Sequence, residues 1–262
     1  MKTISTILVP FDFSEVAQNA LKYATHFVEN NPKAKIILAH VVENEQTAEL
    51  ETKLNDIVKL FGKNLKHPIT PIVVKGKMID ALLDIEHTNP IDLVIMGTCP
   101  KGTDCNLQTK TSEFVLVSKS PVIVIPDGYK KITPKKISLI IDKEEIHNKK
   151  IFEVLLDVAR RFNASVDVLT VVNKDEEHFG YSENDENNEN AIIYYLENFY
   201  SHHAFIEDEN IVDGIFSYVD HNNIDLIAIL SKNHAIQSIA SEGKLTKALS
   251  QQSKVPLLAI DL

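Results

Sequence analysis

Ile91-Asp92-Leu93-Val94-Ile95-Met96-Gly97-Thr98 and its later echo Ile224-Asp225-Leu226-Ile227-Ala228-Ile229-Leu230-Ser231 decide how this chain folds. Each is a short, nearly unbroken apolar run. It is too short for a helix and lacks the alternation of a strand with one wet face. It therefore reads as a strand buried on both faces, which belongs to a parallel sheet. Ligands of open parallel sheets sit beyond the carboxyl ends of the strands, so binding chemistry is expected after Gly97 and Leu230.

Upstream of the first run, Thr6 to Phe11 (TILVPF) is an apolar strand ending in Asp12-Phe13-Ser14. Ser14 is placed to cap a helix whose Ala17, Ala20, Leu21, Ala24, Phe27 and Val28 form one buried stripe. Lys35 to Val42 is a second strand, followed by a helix with Leu50, Leu54, Ile57, Val58, Phe61 and Leu65 on one face. Ile69 to Val74 is a third strand, and Pro71 within it has no N–H to donate, which predicts a sheet edge. A short helix with Ile79, Leu82 and Leu83 leads into the Ile91 run. After Gly97 an irregular segment precedes a helix carrying Phe114 and Val115, and Pro121 to Pro126 (PVIVIP) is a fifth strand.

Asp127 to Pro134 is polar and turn-rich and reads as a linker. The pattern then repeats. Asp12 is matched by Asp142 and Val41 by Val171, both 130 residues on; Asp92 is matched by Asp225 after 133 and Pro121 by Pro256 after 135. Offsets this steady predict tandem α/β domains, 1–128 and 133–262, the second diverged from the first.

With 262 residues and 44% hydrophobic content the chain can fill two cores. No apolar run reaches the ~18 residues of a membrane span and no signal-peptide pattern opens the chain, so a cytoplasmic protein is expected. Cys99 and Cys105 are spaced neither as a zinc pair nor as a redox motif and read as ordinary thiols. Residues 1–131 hold 15 Lys against 15 acids, whereas 132–262 hold 12 Lys plus Arg against 22 acids. An acidic second half argues against partners among nucleic acids and against docking on a membrane.

Asp175 to Asn190, rich in Asp, Glu and Asn, reads as a solvated loop. Lys149-Lys150 and Arg160-Arg161 read as solvated helix faces. His202 and His203 are adjacent and must point different ways, so they are not expected to share a metal. There is no G-x-S-x-G elbow, Walker-type phosphate loop or H-E-x-x-H pair. No catalytic residue and no metal site are expected.

The strand Ile7 to Asp12 with its Ala-rich helix, the strand ending His40-Val41-Val42, the Asp92 to Thr98 segment and the closing Ser120 to Pro126 together resemble a universal stress protein domain. The second half resembles a diverged copy, so the chain looks like the tandem form. This resemblance implies five-stranded parallel sheets of order 3-2-1-4-5, of the adenine nucleotide alpha hydrolase-like type. It also implies a pseudo-dimer in which Leu257 to Ile260 pairs with the fifth strand Val122 to Ile125, with a higher oligomer as a further expectation.

Nucleotide-binding members of that family carry, after strand four, Gly, two residues, Gly, nine residues, Gly, then Ser or Thr. Glycines let the backbone approach phosphate, and the hydroxyl stands at a helix N-terminus. Here Gly97 keeps the first position, Pro100 replaces the second glycine and has no N–H, and Gln108 replaces the third. Gly102, Thr109, Thr111 and Ser112 are the remaining candidates for phosphate, and Pro10, Asp12 and Val41 for adenosine. Asp12 has a structural alternative, tying the strand end to the next helix. In the second half Leu230 stands in place of Gly97, Asn233 in place of Pro100, and Gly243 comes late, so no phosphate cradle is expected.

The expected function is therefore a non-catalytic binding or regulatory module in the stress response, with a degenerate nucleotide pocket, no resident cofactor and protein partners. The alternative is an ATP or AMP sensor acting through the first domain, with slow ATP hydrolysis as a variant.

Overall fold

A computed structural model of the protein describes residues 3–29, 31, 33–43, 47–66, 69–99, 106–141, 145–146, 150–173, 181–231 and 242–261. In the first half the elements are β1 (Thr6–Pro10), α1 (Glu15–Val28), β2 (Lys35–Val42), α2 (Thr47–Phe61), β3 (Ile69–Lys75), α3 (Met78–Thr88), β4 (Leu93–Thr98), α4 (Asn106–Val117) and β5 (Val122–Pro126). The second half repeats the order: β6 (Lys136–Ile140), α5 (Lys150–Phe162), β7 (Ser165–Asn173), α6 (Glu183–Leu196), β8 (Tyr200–Asp208), α7 (Ile211–Asn222), β9 (Leu226–Ser231), α8 (Glu242–Gln252) and β10 (Leu257–Asp261).

All ten strands form one sheet, β3-β2-β1-β4-β5-β10-β9-β6-β7-β8. Each half is parallel with order 3-2-1-4-5. The halves meet through an antiparallel pair in which Leu257 faces Val124, Leu258 faces Ile123 and Ala259 faces Val122. β3 lies at one edge, and Pro71 sits opposite Leu38 of its one neighbour. The bare apolar edge that β5 would present is thereby covered within the chain.

Alternate residues of the strands feed two cores. Ile7, Val9, Leu38, Ile95, Ile123, Leu258 and Val168 face α1, α2, α5 and α6. Leu8, Ile37, Met96, Val124, Leu257 and Ile227 face α3, α4, α7 and α8, where Leu82, Phe114, Ile215 and Leu249 meet them. Each core runs across both halves. Burial on both faces is why the strand sequences lack alternation.

The repeat is chemical as well as topological. Asp92 Oδ2 accepts from Ser5 N, Ser5 Oγ and Thr6 N at 2.8 to 3.0 Å, fixing the start of β1 to that of β4. Asp225 Oδ2 accepts from Lys135 N at 2.7 Å and Lys136 N at 3.1 Å, doing the same for β6 and β9. Its Oδ1 also takes Lys131 Nζ at 2.6 Å.

Three expectations are corrected. Residues 183–190 of the acidic stretch are the first turns of α6, not a loop. Ser182 and Asp185 form a reciprocal capping box, the acids of the first turn suit the positive end of the helix, and Ala191, Ile192 and Leu196 supply the buried face. The portion at 174–180 lies outside the described residues. Second, Arg161 is not on a solvated face. Its side chain is only 12% exposed, pairs with Asp157 at 3.0 Å, donates to the carbonyls of Ile4 and Phe27, and lies 4.6 Å over the Phe27 ring. With Phe162 against Tyr23 and Phe27, it joins α5 to α1 across the two halves. Third, Cys99 is disulfide-bonded rather than a free thiol; Cys105, the one other cysteine in the chain, lies outside the described residues.

Candidate functional site

The order 3-2-1-4-5 reverses its direction of winding between β1 and β4, and a crevice opens at their carboxyl ends. It is a slot of about 340 Å³ lined by Pro10, Phe11, Asp12, Ala17, Ala39, Val41, Met78, Met96, Gly97 and Lys110. Pro10, Asp12, Val41 and Gly97 of the sequence reading thus come together in one cavity. Phe11, Ala39, Met78, Met96 and Lys110 were not singled out from sequence. They alternate with or flank the chosen residues on β1, β2 and β4, so strand periodicity was the signal that could have found the first two and Met96. Nothing local pointed to Met78 or Lys110, which arrive on α3 and α4.

The polar groups around the slot are largely engaged by the protein itself. Asp12 Oδ1 accepts from Ser14 N at 3.1 Å and from Ser14 Oγ at 2.5 Å. Ser14 Oγ in turn accepts from Ala17 N at 3.1 Å as the N-cap of α1. An Asp followed two residues later by a cap residue is a turn device, and Asp12 serves it while remaining exposed. His40, buried beneath, places Nδ1 2.6 Å from Phe11 O and has the Phe13 ring 4.9 Å away, which fixes the path after β1.

Gly97 has a packing reason of its own. A Cβ there would lie 2.3 Å from Val16 Cγ1 and 2.8 Å from Val16 O, because α1 passes directly over β4. Thr111, considered for phosphate, is fully buried and donates Oγ1 to Gly97 O at 3.0 Å, fastening α4 to β4. Pro100 and Gly102 lie outside the described residues, as does the side chain of Thr109.

In the second half Val171, the counterpart of Val41, is packed against α7, where Gly214 leaves room for no side chain: a Cβ would lie 3.0 Å from Val171 Cγ1 and 2.9 Å from Asp208 Cβ. Asp142, Asn233 and most of the segment after Leu230 lie outside the described residues.

His202 and His203 point to different faces of the sheet. His203 turns to one face, with Nε2 2.9 Å from Thr170 Oγ1, and His202 to the other, with Nδ1 3.5 Å from Asp167 Oδ1 and Nε2 3.3 Å from Tyr218 OH. Among the described residues no three His, Cys, Asp or Glu converge as cation ligands, and no helix is long and apolar enough to cross a membrane.

A doubly wound α/β half with a crevice at its switch point, duplicated and joined edge to edge, defines the class: a tandem protein of two doubly wound α/β halves. Residues 3–126 match the model of the universal stress protein family. A universal stress protein of Methanocaldococcus jannaschii is 25% identical over 151 residues, 45% of this chain and 93% of its own length. Across the full length the fold is that of a universal stress protein of Archaeoglobus fulgidus (TM-score 0.71, 15% identity, 99% of this chain and 97% of that one). A candidate universal stress protein of Pseudomonas aeruginosa superposes equally well (TM-score 0.72, 13% identity, 98% and 93%).

Proposed function

We propose that this protein is a non-catalytic binding module of the stress response, cytoplasmic, with its units at 1–128 and 133–262, whose ancestral nucleotide crevice no longer seats a triphosphate. One observation carries this reading. Among the described residues, Asp12 and Lys110 are the ionisable side chains lining the slot, and Asp12 is already held by Ser14. General acid–base chemistry needs a positioned group free to move a proton, and phosphoryl transfer needs donors around the phosphate oxygens. The replacement of glycine by Pro100 and Gln108 supports the loss of those donors, since a proline offers no N–H.

A second reading is favoured by the slot itself. Ala39, Val41, Met78 and Met96 make an apolar crevice at the switch point, and such a surface accepts a flat heteroaromatic base. On this reading the first half holds adenosine or AMP through Pro10, Asp12 and Val41, with Gly97 and Lys110 toward the phosphate.

Thermal melts with ATP and with AMP separate the two. The module reading expects a wild-type midpoint that ATP leaves unchanged. A saturable upward shift with either nucleotide, removed by Val41→Trp at the partly exposed mouth of the slot, would establish the second reading in its place.

A further inference from the structure

A larger cleft, of about 650 Å³, lies where the two halves join, and it shares no described lining residue with the slot. Three pieces of chain build it: the ends of β4 and β5 with Thr98 and Pro126, the turn Asp127 to Lys131 that leads to the second half, and the last turn of α8 with Gln252, Ser253 and Lys254. Neither half alone contains it. We propose that this cleft is a second ligand site, taking a phosphorylated polyol of the sugar phosphate class.

The turn is held in place from behind. Tyr129 O accepts from Asn19 Nδ2 at 2.9 Å, Tyr129 OH donates to Asp225 O at 2.9 Å, and Lys131 Nζ is bound to Asp225. Lys131 is therefore neutralised, whereas Lys130 and Lys254, which also line the cleft, have no hydrogen-bond or ionic partner among the described residues. Two unpaired ammonium groups lining one cleft suit a phosphate dianion.

The other groups ask for donors on the ligand. Asp127 brings an exposed carboxylate, and the last turn of α8 lines the cleft with the end of the helix that carries partial negative charge. A simple anion would be repelled there, and hydroxyl groups would be bound. Thr98, on the wall of the cleft, is 4% exposed and its Oγ1 has no partner in the protein. A buried hydroxyl left without a partner costs free energy unless something meets it, and a ligand or the water it holds would do so. The volume is in the range of small-molecule sites.

Calorimetric titration of the full chain with glucose 6-phosphate tests this, with glucose and inorganic phosphate as separate arms. Saturable one-to-one binding of glucose 6-phosphate is expected, weakened about tenfold or more in Lys130→Ala/Lys254→Ala and retained in Val41→Trp. The lysines are exposed, so the variant should melt as wild type does; if it does not, Lys254→Gln alone replaces it. Three results would overturn the proposal: absence of saturable heat, unchanged affinity in the lysine variant, or glucose or inorganic phosphate binding as tightly as the sugar phosphate. Because Val41→Trp blocks only the slot, loss of binding in that variant would also overturn it, whatever the slot itself binds.

Discussion

Several carboxylates of this protein organise backbone. Asp225 is 8% exposed and satisfies two main-chain N–H groups and one lysine. Asp225→Ala removes the acceptor of two part-buried main-chain N–H groups, and a loss of roughly 1–3 kcal/mol is expected in denaturant unfolding. Asp12 is exposed and bound to Ser14, so Asp12→Ala should cost well under about 1 kcal/mol. In the second half Glu189 accepts from Tyr181 and Tyr200, both at 2.5 Å, and these bonds hold its carboxyl below the usual range. His203 is held below the usual imidazole range chiefly by burial, which outweighs the pull of Glu189 and Asp185.

Both shifts have the same sign in stability. The unfolded chain takes up a proton at His203 near pH 6.5 that the folded chain resists, so this contribution is full above that pH and fades as pH falls toward the folded value. The Glu189 contribution is present above about pH 4.3 and is lost as pH falls through its depressed folded value. His203→Phe, which keeps a ring beside Phe205, should flatten the decline of the unfolding midpoint just below about pH 6.5 and leave the more acidic decline in place. An unchanged profile would show that His203 is not the group responsible.

At the scale of elements, two helix starts can be compared directly. Ser14 caps α1 and Ser182 caps α6 with a reciprocal box, and replacement of either by alanine should cost about 1 kcal/mol. Circular dichroism during urea unfolding would read both. The strands, the edge position of β3 and the cap at Ser14 were legible in sequence because apolar runs, Pro71 and the Asp-x-Ser turn are local signals. The start of α6 was not, since its acidic composition hides a capping box whose buried face comes only later, at Ala191 and Ile192. The site was legible only in part. Gly97 and Thr111 fit a phosphate motif, yet the first is glycine because Val16 presses on it and the second is buried as a tether, and both facts depend on how α1 and α4 pack. Arg161 was misread for the same reason: its partner Phe27 lies in the other half.

On the scale of the whole molecule, the continuous sheet, the two shared cores and the α1–α5 contact make the halves one packing unit. Calorimetric unfolding should therefore show one transition with equal calorimetric and van't Hoff enthalpies, and two resolved transitions would mean that the β5–β10 seam is weaker than its burial implies. If the first half has lost its seat for a triphosphate, as we propose, calorimetric titration of Mg-ATP into the full chain at sub-millimolar concentration reads that loss. No saturable heat is predicted; a clear one-to-one isotherm that Val41→Trp abolishes would contradict it.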